Sequence, residues 1–258
     1  MIVDTHAHLC DERLAPDIDT WLQEARATGV TRIVNVGADW ESSRLAVAQA
    51  ASRAGVYAAV GVHPHDATSW SEPMEADLVA LAQQPQVCAY GEIGLDYYYD
   101  HSPRAVQKEV FAAQLRLAQR LGLPVIVHDR DAHQDALCIL QQHAPFAAGG
   151  VMHCYSGSAE MVADFLELGF YISFAGPITF RNAKKPAQAA LQVPDDRLLV
   201  ETDCPYLSPE PYRGKLNHPA RVALVVERLA ELRGVDFTTL AGQTTANAER
   251  LFGWKRGD

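Results

Sequence analysis

The chain has 258 residues, 48% of them hydrophobic, and a formal net charge of −10. That size supports one large core and leaves no room for a second domain, so residues 1–258 read as a single unit. The negative charge argues against a broad surface for duplex DNA, because such affinity comes from neutralising phosphates, although a local basic patch remains compatible with it.

Five cysteines, Cys10, Cys88, Cys138, Cys154 and Cys204, are scattered without a CxxC pair and read as reduced thiols rather than a disulfide framework. No leader pattern precedes Met1-Ile2-Val3, and no apolar run approaches the ~18 residues of a membrane span. The expectation is a soluble cytoplasmic protein without a membrane partner.

In chain order, apolar β-type runs are predicted at Ile2 to Ala7, Arg32 to Gly37, Tyr57 to Val62, Val87 to Ile93, Pro124 to His128, Gly150 to His153, Phe170 to Phe174 and Leu198 to Thr202. Helical patterns lie between them. In Ala105 to Leu121, for example, Val106, Val110, Ala113, Leu117 and Leu121 keep helical spacing. Helix starts are predicted near Ser102-Pro103, Ser158 and Asn217, and stops at Gly122, Gly169 and Gly234. Strands alternating with helices imply a parallel sheet, and eight such units at close to the ~250 residues of a typical barrel predict a (β/α)8 TIM barrel. The last segment, Asp236 to Phe252, is expected as a helical extension covering the barrel bottom or flank through Phe237, Leu240, Leu251 and Phe252.

The chemistry sits where these runs end. Asp4-Thr5-His6-Ala7-His8 carries two His at i, i+2, which point the same way at a strand end and can chelate. Glu92, His128, His153 and Asp203 each follow a later apolar run. A lone His after a strand is more often hydrogen-bonded than ligating, but four His and two carboxylates at C-terminal strand ends converge on one barrel mouth. Six donors exceed what one tetrahedral ion with an open position needs, so two divalent ions are expected, with Glu92 as the bridge through its two oxygens. Cys154 and Cys204 directly follow proposed ligands, and alternation turns them towards the helix layer as packing residues.

The segments Asp4-Thr-His-Ala-His8, Gly61-Val-His-Pro64, Gly91-Glu-Ile-Gly-Leu-Asp96, His128, Met152-His-Cys-Tyr-Ser-Gly157, Glu201-Thr-Asp203 and Arg213-Gly214 through Asn217 together resemble the TatD family of metal-dependent deoxyribonucleases, within the amidohydrolase-like hydrolase barrels. The resemblance spans essentially the whole chain. Related amidohydrolases often bridge their metals with a carbamylated Lys at the fourth strand; Glu92 takes that place here, which favours TatD. Tyr155 stands where family members often have Phe. The resemblance implies that His6, His8 and Asp203 hold one ion, His128 and His153 the other, and Glu92 both.

The chemistry agrees with that assignment. Phosphodiester hydrolysis needs a hydroxide at neutral pH and neutralisation of the phosphate, and two bridged ions supply both. Asp203 is the natural proton acceptor, with Glu92 beside it as a catalytic carboxylate. Asp4 and Glu201 lie two residues before His6 and Asp203 and are expected to support ligands or anchor the mouth. His63 and Tyr155 read as substrate contacts, His65 as a solvated loop residue.

After strands 7 and 8, where barrels commonly bind phosphate, come Arg181, Lys184, Lys185, Arg213 and Lys215. Of these, contact is favoured for Arg213, whereas Lys184 and Lys185 read as a solvated helix start. Tyr97-Tyr98-Tyr99 offers a base-stacking platform. A single-stranded DNA end suits a concave mouth better than a duplex, which predicts exonuclease action, with 3′–5′ polarity implied by the resemblance alone.

Three rival readings share these residues. A D-aminoacyl-tRNA deacylase would use the same hydroxide on an ester carbonyl. A small-molecule amidohydrolase or deaminase would want an enclosed apolar pocket. A non-catalytic module, in which metal only stabilises the barrel, fits six donors and a base least well. The metal itself stays open among Zn, Mn, Co and Mg.

Overall fold

A computed structural model describes residues 1–254. Eight strands are described: β1 (Ile2–Ala7), β2 (Val30–Val36), β3 (Val56–Val60), β4 (Val87–Asp96), β5 (Val125–Arg130), β6 (Gly150–Met152), β7 (Phe170–Phe174) and β8 (Leu198–Val200). They pair in parallel in simple sequence order. Between them run α1 (Ile18–Ala27), α2 (Trp40–Ala51), α3 (Glu72–Ala82), α4 (Arg104–Leu121), α5 (His133–His143), α6 (Val162–Glu167) and α7 (Lys184–Gln192). Then α8 (Val222–Arg233) and α9 (Phe237–Phe252) complete the described helices. This is the expected (β/α)8 barrel with a helical extension.

Local chemistry sets the boundaries. Asp39 caps α2 by accepting the Ser42 amide at 2.7 Å, and Gly122 and Gly234 end α4 and α8 at φ 67° and 66°, where a Cβ would be strained. Two expected helix starts are corrected. α6 begins at Val162 rather than near Ser158. Asn217 is no cap: its amide donates to the Thr202 carbonyl at 2.9 Å and the Tyr206 carbonyl at 2.7 Å, tying down the loop after β8.

One apolar cluster draws Val3, Val34, Ala59, Ala89, Ile126, Val151, Tyr171 and Leu199, one residue from each strand, together with Leu251 and Phe252 of α9. That cluster is the barrel interior, and α9 closes its floor. Two residues further along, alternation carries Ile126 to His128, Val151 to His153 and Leu199 to Glu201, so the polar set faces the opposite end. A second, larger cluster packs the outer strand faces under the helices, with Tyr90, Phe111, Leu115 and Phe165 fully buried.

First and last strands meet less regularly. They share the isolated bridge Ala7–Cys204. Beside it, the Asp4 carboxylate accepts the Thr202 amide at 2.8 Å and its hydroxyl at 2.6 Å.

Candidate metal centre

Two strands carry bulges at their candidate ligands. Asp4 faces Ile33 and Ala7 faces Asn35, so β1 holds one extra residue across His6; Tyr90 faces Val125 and Ile93 faces Val127, which does the same at Glu92. Bulges of this kind re-aim a side chain beside a site.

Glu92 lies at the centre, 3% exposed. Its Oε2 stands 3.3 Å from His6 Nε2 and 3.6 Å from His8 Nε2. The two imidazole Nε2 atoms are 3.2 Å apart, and Asp203 Oδ1 lies 3.4 Å from that of His8. The other oxygen, Oε1, faces a second set: His128 Nδ1 at 2.7 Å, His153 Nε2 at 3.1 Å and His63 Nε2 at 3.6 Å. The structure thus brings the six expected donors together: His6 and His8 at one oxygen of Glu92, His128 and His153 at the other, and Asp203 beside His8.

Outer contacts fix the rings. His8 turns Nδ1 to the Val36 carbonyl at 2.9 Å, which makes that nitrogen the donor and leaves a lone pair on Nε2. Glu201 accepts from His153 Nδ1 at 2.8 Å and from the Cys154 amide at 2.7 Å, both on Oε1. Asp4 binds no ligand ring; it takes the Thr202 contacts at the β1–β8 junction, so it anchors the mouth.

Several contributors were not legible as such. Asp96 is buried and pairs through Oδ2 with His128 Nε2 and His65 Nε2, each at 3.0 Å. Gln107 and Gln114, one face of α4, hold backbone: Gln107 binds both the amide (2.8 Å) and the carbonyl (3.0 Å) of Asp96, and Gln114 binds the amide and carbonyl of Val62, each at 2.8 Å. The signal was two glutamines seven apart within an apolar helix stripe.

Electrostatics follow from crowding. Burial opposes charge on Glu92, yet His153, His63 and His6 around it hold its carboxyl well below the usual range. Burial would likewise keep His153 and His128 neutral, but Glu201 and Glu92 raise the first well above the usual imidazole value, and Asp96 and Glu92 raise the second to about 9. Buried carboxylates demand positive charge among the imidazoles, which either protons or divalent cations can provide. The donor atoms of His6, His8 and Asp203 lie within 4.8 Å of one another and fit a cation, as do those of His63, Glu92 and His128 beside them, whereas His153 groups with His6 and Glu201.

Other expectations are corrected. Tyr155 is a core residue, 6% exposed, packed against Phe165 and Phe174 with its hydroxyl on the Ser158 carbonyl at 2.8 Å. The chain turns after β6 and carries that ring outward. His65 is not a solvated loop residue, since Asp96 holds it in the mouth lining. Cys154 departs from alternation at φ 44°, and burial together with the charges of Asp203, Glu201 and Glu92 raises its thiol well above the usual value. Arg213 stacks 4.3 Å over Phe180, outside the mouth lining, as are Arg181, Lys184, Lys185 and Lys215.

The mouth is a cavity of about 610 Å³. A larger hollow of about 1030 Å³ beside α9 lies at the floor end and is lined by none of the candidate ligands, so the chemistry belongs to the mouth.

Comparison with known proteins shows the family and the fold. The family model described as "TatD related DNase" matches residues 3–253. An uncharacterized metal-dependent hydrolase, YabD of Bacillus subtilis, is 46% identical over 98% of this chain and 99% of its own. A protein of Cronobacter sakazakii named 3′-5′ ssDNA/RNA exonuclease TatD is 37% identical over 96% of this chain and 97% of its own. The crystal structure of YjjV, a TatD homolog from Escherichia coli, superposes with a TM-score of 0.93 at 32% identity, covering 98% of each chain. The chain belongs to the TatD family of metal-dependent hydrolases.

Proposed function

We propose that this enzyme is a two-ion deoxyribonuclease that removes nucleotides from single-stranded DNA ends in the 3′–5′ direction. The observation that carries the reading is Glu92, whose two oxygens face two separate donor sets at an open mouth. His6, His8 and Asp203 would hold one ion, His128 and His153 the other, and Glu92 both. Bound there, the ions supply acidification of a water and neutralisation of the phosphate; the imidazole-rich donors suit Zn, Mn or Co better than Mg.

Asp203 takes the proton of the attacking water and returns it to the leaving oxygen. Burial lifts its pKa, but His8 foremost, with His153 and His6, holds the carboxyl below its usual range, so it stands ionised, the form that can accept a proton. His63 serves the substrate as a donor. Its Nδ1 accepts the His65 amide at 3.1 Å, which puts the hydrogen on Nε2, and burial keeps the ring neutral. That N–H is available to a non-bridging phosphate oxygen.

The polarity rests on the family resemblance and on relatives named as 3′-5′ exonucleases. The open, charged mouth is unlike the enclosed apolar pocket of a small-molecule amidohydrolase. All five cysteines are free thiols, in keeping with the cytoplasm, where we place the activity. No described helix is long and apolar enough to cross a membrane.

The test is turnover of an end-labelled single-stranded oligonucleotide by metal-reconstituted protein beside Asp203→Ala, with a D-aminoacyl-tRNA assay on the same preparations. Stepwise shortening from the 3′ end, abolished by the substitution, is expected. Intact DNA with Asp203-dependent release of the amino acid would replace the reading with that of a deacylase.

A further inference from the structure

The mouth is short of positive charge. Its lining includes Asp11, Asp39, Asp66, Glu92, Asp96 and Asp203, and among the described residues a single Lys or Arg, Arg130. A polynucleotide end brings more than one phosphate, and the two proposed ions face only the scissile one. Arg130 is placed for another.

Register puts it there. Arg130 closes β5 two residues beyond His128, opposite Asp96 on β4. Its guanidinium lies 4.0 Å over the ring of Tyr98 and 4.9 Å over that of Tyr99. The same Asp96 that holds His128 also takes the Tyr98 and Tyr99 amides on Oδ1, at 3.0 and 2.8 Å. Shelf and ligand ring therefore share one anchor, which fixes the guanidinium relative to the metal centre.

Stacking orients without consuming. A guanidinium lying over a ring keeps its N–H donors in its own plane, directed away from the ring. Two other stacked arginines spend theirs: Arg104, over Tyr97, is bound to Asp100, and Arg13, over Tyr206, to Asp11. Arg130 lines the mouth and has no ion pair or side-chain hydrogen bond among the described residues, so a charged fork seated on the tyrosines has its donors free. Phosphate matches that fork with two acceptor oxygens. The tyrosine shelf thus carries an arginine in place of a base.

Resting on the nuclease reading above, we propose that Arg130, seated on Tyr98 and Tyr99, binds the phosphate adjacent to the scissile linkage and so selects a strand end over an isolated phosphodiester.

The test neutralises one phosphate at a time. Single-stranded oligodeoxynucleotides with one uncharged methylphosphonate at successive linkages from the 3′ end are digested by metal-reconstituted wild type, Arg130→Gln and Arg130→Lys. In wild type, neutralising the adjacent linkage should lower kcat/KM about tenfold or more, the worth of a charge-assisted hydrogen bond. In Arg130→Gln the same change should cost under twofold, with Arg130→Lys between them. Because charged and neutral substrates are compared within each protein, a loss of folded enzyme cancels. Equal losses in wild type and Arg130→Gln at every linkage overturn the assignment while leaving the nuclease intact. A wild type that digests no oligonucleotide overturns the nuclease reading, and the assignment with it.

Discussion

Glu201 offers the sharpest test of the two-lobed centre, because among the described residues the one candidate ligand ring it hydrogen-bonds, His153, belongs to a single lobe. At 1% exposure its Oε1 accepts both the His153 Nδ1–H and the Cys154 amide, at 2.8 and 2.7 Å. Glu201→Gln keeps an acceptor oxygen but removes its charge. A hydrogen bond to a charged group contributes about 1.5–3 kcal/mol and a neutral one about 0.5–1.5, so the His153 bond weakens by roughly 1–1.5 kcal/mol, or about tenfold in affinity for the ion His153 would hold. Glu201→Ala goes further. It strands two buried donors at about 1–3 kcal/mol each, which divides between weaker binding and a less stable fold. Calorimetric titration of metal-free protein with Zn or Mn should show two binding steps in wild type and one step shifted about tenfold in Glu201→Gln. A Gln isotherm superimposing on wild type, or both steps weakening equally, would refute the division of ligands between the oxygens of Glu92.

Chelation should abolish turnover, and Zn, Mn or Co should restore it better than Mg; full activity in excess chelator would remove metal from the mechanism. Tyr155→Phe should lose about 1 kcal/mol of stability with its bond to the Ser158 carbonyl and leave kcat/KM within twofold; a tenfold kinetic loss would return that ring to the substrate. Phe252→Ala opens the barrel floor and should cost about 3–5 kcal/mol, seen as a Tm fall on the order of 10 °C, with the mouth chemistry unchanged below the transition.

The sequence exposed those features that repeat along it. Apolar runs ending in His or carboxylate mark strand ends whatever the helices do, and so His6, Glu92, His153 and Asp203 could be read from position alone. What escaped depends on register between strands. Asp96 reaches His128 because Gly94 pairs with His128 in the β4–β5 ladder, and Arg130 stands across from Asp96 for the same reason. Strict alternation also fails where the chain leaves β6 after Met152: Cys154 takes a left-handed conformation, and Tyr155 is buried among Phe165 and Phe174 instead of facing the mouth. Gln107 and Gln114 look like breaks in an amphipathic stripe, yet they are buried because each satisfies an amide and a carbonyl where the chain leaves a strand for the site, at Asp96 and Val62.

The irregular junction between β1 and β8 has a topological consequence. Asp4 and Thr202, which meet there, are 198 residues apart, and the proposed ion held by His6, His8 and Asp203 would span the same junction. A ligand joining the two sides closes a ring from nearly the whole chain. The freedom that such a closure removes from an unfolded polypeptide grows with the logarithm of ring size, so few cross-links available to this sequence would restrict it more. The ion that serves chemistry would then also act as a clasp, fastening β1 onto β8.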